Sequence, residues 1–138
     1  MMSDDRVRVI LDTNVFVAAY WARLSASARI LGACIEGLSQ ALYSPEVRAE
    51  VSHVLRAIRA ASDLLDRVEA FWERAEEVSG AQVDGIAVRD PSDRKFLEAA
   101  AGGHADFLVT NDDHLLSVGY VGRTEVITPR TAARILGL

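Results

Sequence analysis

The stretch Val7-Arg8-Val9-Ile10-Leu11-Asp12-Thr13-Asn14-Val15 decides the fold. Its first five residues are an apolar run with one arginine, and they read as a buried strand. Asp12-Thr13-Asn14 then offers helix-capping oxygens, and Val15 to Trp21 is an apolar run fit to begin a helix. A buried strand closed by an aspartate and followed at once by a helix is the opening of an α/β domain.

Working outward, the same alternation recurs. Ser25-Ala26-Ser27 caps a second helix, roughly 28–37, and Gln40 to Tyr43 is a short strand. Ser44-Pro45 starts another helix, since proline at the first helical position lacks only an N–H that would go unpaired anyway. Val47, Val51, Val54, Leu55 and Ile58 recur there at helical spacing, with Glu50 on the border of the stripe. Ser62 or Asp63 caps the next helix, whose apolar face runs Leu64, Leu65, Val68, Phe71, Trp72, Ala75 and Val78. Ala81 to Val88 reads as a strand or an extended connection. Asp90-Pro91-Ser92-Asp93 opens a helix to about Ala101, and Gly102-Gly103 stops it. Asp106 to Thr110 is a strand, Val121 to Ile127 contains a weaker one, and Thr128-Pro129 launches the last helix, Arg130 to Leu136. Helices alternating with short apolar strands predict a mostly parallel sheet covered on both faces.

The chain of 138 residues suits a single domain over 1–138. Half of it is hydrophobic and a quarter charged, an ordinary globular composition. No stretch approaches the roughly 20 apolar residues that span a bilayer, and Met1-Met2-Ser3-Asp4-Asp5 is acidic where a signal peptide is basic, so a cytoplasmic protein without a membrane partner is expected. Cys34 is the only cysteine, which excludes an intrachain disulfide; among Ile30, Leu31 and Ile35 it reads as an inert buried thiol. Lys95 is the only lysine, every other basic side chain being arginine. A net charge of −5 argues against a broad electrostatic grip on nucleic acid, although carboxylates gathered at one site would be offset by bound metal.

Asp12, Glu50, Asp93 and Asp112 carry the chemistry. Taken singly, each has an ordinary explanation: Asp12 and Asp93 as capping residues, Glu50 as a solvated helix residue, Asp112 as turn chemistry in Asn111-Asp112-Asp113. Their joint placement says more, because Asp12 and Asp112 follow strand ends and open α/β sheets bind ligands there. Carboxylates repel one another, and a divalent cation neutralises them. Oxygen ligands without convergent histidine or cysteine suit Mg²⁺ or Mn²⁺ better than zinc; His53, His104 and His114 lack metal-ligand spacing. A haloacid dehalogenase would need an aspartate where Asn14 stands, and a receiver domain would need a lysine after a late strand. No glycine-rich phosphate loop or Gly-x-Ser-x-Gly elbow is present.

Four segments in order, Val9 to Val15, Ser44 to Val51, Asp90 to Ala100 and Phe107 to Asp112, resemble the PIN domain family over about Arg6 to Pro129, most closely its VapC-like toxins. The resemblance implies a three-layer α/β/α sandwich on a mostly parallel sheet of four to five strands. It also implies a Mg²⁺- or Mn²⁺-dependent ribonuclease, the toxin of a bacterial toxin–antitoxin pair, whose products carry a 5′-phosphate. Asp12, Glu50, Asp93 and Asp112 would be its catalytic and metal-binding acids, supported by Thr13, Asn14, Asp90, Thr110 and Asp113. Asn111 stands where the family often has glycine, and His114 where a further acid is common. Arg23, Arg89, Arg94 and Lys95 are candidates for meeting RNA phosphates. An antitoxin, RNA and a second copy of the chain are the implied partners. The alternatives are a non-catalytic PIN-like module that binds RNA or protein, and a nuclease of RNA processing.

Overall fold

Strand β1 (Arg8–Leu11) is buried from Val9 to Leu11 without alternation, the signature of a strand covered on both faces. In the computed structural model, which describes residues 5–138, it lies at the middle of the sheet. The start of the chain through Asp4, part of the acidic N-terminal stretch, lies outside the described residues. On one side β1 pairs in parallel with β2 (Gln40–Tyr43), Ile10 opposite Leu42; on the other it pairs in parallel with β4 (Phe107–Val109), Ile10 opposite Leu108. The remaining strands are β3 (Glu76–Glu77), β5 (Tyr120–Val121) and β6 (Thr124–Ile127), in the order β3-β2-β1-β4-β6-β5. Only β5 runs antiparallel. Six strands exceed the expected four to five because two of them, β3 and β5, are two-residue edge strands.

The helices are α1 (Thr13–Trp21), α2 (Ala26–Ile35), α3 (Pro45–Ala57), α4 (Ser62–Arg74), α5 (Arg94–Gly103), α6 (Asp113–Leu116) and α7 (Pro129–Ile135). Helix α2 packs on α1, α4 and α7, while α5 packs on β1, β2 and β4, which makes the α/β/α sandwich. Side chains of Asp12, Ser25, Ser44, Asp112 and Thr128 accept bonds from the first turns of α1, α2, α3, α6 and α7.

Four local expectations change. The cap of α4 is extended Ala61, which makes no side-chain bond, and Asp63 bonds the N–H of Leu64 instead. Helix α4 stops at Arg74 rather than continuing to Val78, because the chain turns extended at Ala75 and Glu76–Glu77 joins the sheet beside Leu42 and Tyr43. Asp90-Pro91-Ser92-Asp93 forms a 3₁₀ turn over Pro91–Asp93 before α5 begins. Gly102 and Gly103 lie inside the last turn of α5, which ends at left-handed His104 (φ 51°). Gly102 has a packing reason: a Cβ there would sit 1.8 Å from the carbonyl oxygen of Ser79.

Between α1, α4 and β2 the core is aromatic. The Phe16 and Phe71 rings meet edge to face at 5.1 Å, and Trp72 packs on Phe16, Phe71 and Tyr43. Trp72 is therefore core, whereas Trp21 (71% exposed) and Leu24 (92% exposed) stand at the surface. Cys34 is buried, and burial pushes its thiol up to about 12, so it is inert as expected.

Candidate active site

The chain leaves β1 toward one edge through β2 and β3, then returns to place β4 on the opposite side of β1. Between the carboxyl ends of β1 and β4 the strand order reverses, which opens a crevice at the sheet edge. A cavity of about 890 Å³ occupies this position, and Asp12, Glu50, Asp93 and Asp112 all line it.

Asp12 is the best-held member. It follows β1 directly, its backbone N–H bonding Val109 of β4, and it caps α1 through Oδ1, which accepts from the N–H of Thr13 at 2.7 Å. Oδ2 accepts from the Thr110 hydroxyl at 2.7 Å and the Asn14 amide at 3.0 Å. Despite these donors, burial raises its pKa from 3.8 to about 6, and Asp93 and Glu50 add repulsion. Thr110, fully buried, also accepts from the N–H of Asp112, and Asn14 accepts from the N–H of Asn111. Thus Thr110 and Asn14 bind the end of β1 to the loop after β4.

Asp112 begins α6, with Oδ1 accepting from the N–H of His114 at 2.9 Å. Asp93 ends the 3₁₀ turn, half-buried; burial first, then Asp112, Asp90 and Glu50, raises its pKa, while Lys95 opposes the rise. Glu50 projects from α3, where one oxygen accepts from the Thr13 hydroxyl and the other meets Lys95 Nζ at 2.8 Å.

The remaining candidates divide. Thr13 and Asn14 line the cavity. Asp90 is exposed, and its bond from the N–H of Ser92 keeps its carboxyl below the usual range; it shapes the turn that carries Asp93. Asp113 is exposed in the first turn of α6. Arg23 pairs with Asp63 across a separate cavity, so it does not reach the acids. Arg94 donates to the carbonyls of Val83 and Ile86, anchoring the segment before the 3₁₀ turn. Arg89 lies 3.4 Å from the His114 ring. Arg130 of α7 lines the cavity with Thr128 and Pro129, and Val17, Ala18, Trp21 and Val54 form an apolar wall. Arg130 escaped the sequence reading because it lies 18 residues beyond Asp112, in a helix with no acid or motif.

Among the described residues, no three His, Cys, Asp or Glu side chains close on a common point as a ready metal cage. The donor set nevertheless suits a hard divalent cation: its members are carboxylates, and burial first, then repulsion from neighbouring acids, raises the pKa values of Asp12 and Asp93, a cost of charge that such an ion relieves.

An α/β/α sandwich with carboxylates gathered at its switch point defines the class of fold and site to which the chain belongs. A PIN domain model matches residues 8–114, and the chain belongs to the PIN domain family. The fold is shared with the structure of VapBC2 from Rickettsia felis bound to a DNA fragment from their promoter, at 15% identity and a TM-score of 0.61, over 88% of this chain and 98% of that one. It is shared equally with PAE2754 from Pyrobaculum aerophilum, at 16% identity and a TM-score of 0.62, over 95% of this chain and 90% of that one. No curated protein matches.

Proposed function

We propose that this protein is a Mg²⁺- or Mn²⁺-dependent ribonuclease and the toxin of a toxin–antitoxin pair. The observation that carries the reading is the lining of one switch-point cavity, in a PIN-family chain, by Asp12, Glu50, Asp93 and Asp112. Asp12, Asp93 and Asp112 would hold the cation, with Glu50 beside them. When bound, the ion supplies Lewis acidity at the phosphate and makes water a stronger nucleophile at neutral pH.

The chain's own contribution is positioning. Three donors hold Asp12 in one orientation, so its carboxylate is arranged before substrate arrives. Thr110 and Asn14 keep the loop bearing Asp112 at a constant offset from Asp12. Arg130 stands in the same cavity to meet a phosphate oxygen, and the apolar wall excludes water from one side. Attack by water leaves a 5′-phosphate on the downstream fragment.

The same reading makes 1–138 one domain, acting in the cytoplasm, with RNA as substrate, an antitoxin as regulator and a second copy as dimer partner. The Rickettsia felis neighbour, a VapBC2 complex, supports the antitoxin. Among the described residues no helix is long and apolar enough to cross a membrane. Asp12→Asn is expected to lower metal-dependent RNA cleavage about a hundredfold or more while the circular dichroism spectrum is retained. Full cleavage in EDTA, or by the variant, would overturn the proposal.

A further inference from the structure

The chain has 15 Lys and Arg residues, and only one of them, Lys95, is a lysine. That lysine stands one residue into α5 and lines a neighbouring cavity with Ser44, Glu46 and Glu98, its ammonium reaching Glu50 at the wall of the acidic cavity. Its Nζ is 2.8 Å from Glu50 Oε1, and the two side chains are only 26% and 22% exposed. The second oxygen of Glu50 accepts from the Thr13 hydroxyl, so protein donors engage both ends of the carboxylate. Lys95 also acts on Asp93, lowering the cost of its charge against Asp112, Asp90 and Glu50.

The chemistry of the two cations explains the choice. An arginine fork is planar and wide, and it binds carboxylates in a bidentate plane. A lysine ammonium is a compact point charge with three rotatable donors, the side chain closest in size and charge distribution to a bound metal ion. Placed among carboxylates, it does part of what an ion does: it neutralises charge and occupies ligand oxygens. A divalent ion at Glu50 would have to share that carboxylate with the ammonium against like-charge repulsion.

We propose that Lys95 is a positioning residue that fills the place of a second divalent ion, holding Glu50 aside so that the centre takes one ion, on Asp12, Asp93 and Asp112. The inference rests on the metal-centre reading above and specifies its stoichiometry. Glu50 thereby serves through Thr13 and Lys95, fixing the start of α1 to α5, rather than as a metal ligand.

The test is a Mn²⁺ titration of the full chain, followed by calorimetry and by electron paramagnetic resonance, on the wild type, Lys95→Met and Lys95→Gln. The wild type is expected to bind one ion with the spectrum of isolated Mn²⁺. Removing the ammonium is expected to raise the count to two, with the broadened spectrum of coupled ions. The glutamine variant provides a second neutral side chain should the methionine variant fold poorly. A merely structural lysine would change melting temperature but neither the ion count nor the spin coupling. Two ions in the wild type, or one in both folded variants, would overturn the inference and leave the metal centre standing. No ion at all in the wild type would overturn the metal centre itself and this inference with it. Two neutral variants that both fail to fold would also overturn it, making Lys95 a residue of stability.

Discussion

Asp12 holds a charge in a place that resists it. The residue is 5% exposed, and its pKa rises from 3.8 to about 6 chiefly through burial. The folded state therefore keeps the proton more tightly than the unfolded chain. Below pH 3.8 both states are protonated and no penalty exists; as pH rises from 3.8 through about 6, stability is lost; above that the full penalty applies. The difference corresponds to roughly 3 kcal/mol. Asp93, also raised, acts in the same direction. Metal-free melting temperature should accordingly fall across that window, and Asp12→Asn should flatten the fall, which melting curves in EDTA from pH 4 to 8 will check. An unchanged slope in the variant would assign the dependence to other groups. Cation binding must displace the same proton, so Mn²⁺ affinity should weaken below about pH 6.

At the scale of elements, α5 carries Asp93 at its start and Lys95 in its first turn, and its far end is seated by Gly102. The N–H of Ala81 bonds the carbonyl of Glu98, and the Ser79 carbonyl occupies the space a side chain at 102 would need. Gly102→Ala should cost about 2–4 kcal/mol by chemical denaturation, because backbone cannot yield as a flexible side chain can. Tilting α5 should also depress activity beyond the stability loss. A variant as stable as the wild type would show that Ser79 moves freely. The elements bearing Asp12, Glu50 and Asp93 were legible because each has a chemical start signal: Asp12 after an apolar run, Ser44-Pro45 before a periodic helix, Asp90-Pro91 before another. Strand β3 was illegible because Glu76–Glu77 has no apolar alternation and joins the sheet only through backbone pairing. The four residues of α6 are too few to show a period. The Arg23–Asp63 and Lys95–Glu50 pairs are decided by helix packing across 40 and 45 residues of sequence, which no local pattern encodes.

For the whole molecule, charge and topology act together. Five net negative charges are an awkward total for the proposed work on RNA, yet four acids of this chain converge on one cavity. Neutralising them locally changes the field where a phosphate would approach without making the rest of the surface basic. Mn²⁺ at a hundredfold excess over its dissociation constant should add about 2.7 kcal/mol of stability, or roughly 10 °C for a chain of this size. Differential scanning fluorimetry will read the shift, and Asp12→Asn should lose most of it. No shift in the wild type would leave the acids as capping and surface groups.

The two edges of the sheet have a consequence of another kind. Parallel sheets fold slowly, and an open edge presents unpaired N–H and C=O groups to any neighbouring chain. Here one edge is two adjacent glutamates, both exposed, and the other is a two-residue strand that reverses direction at Gly122 (φ 57°). Either edge is too short, and the first too highly charged, to template a further strand. The sheet thereby carries its own protection against edge-to-edge association into fibrils.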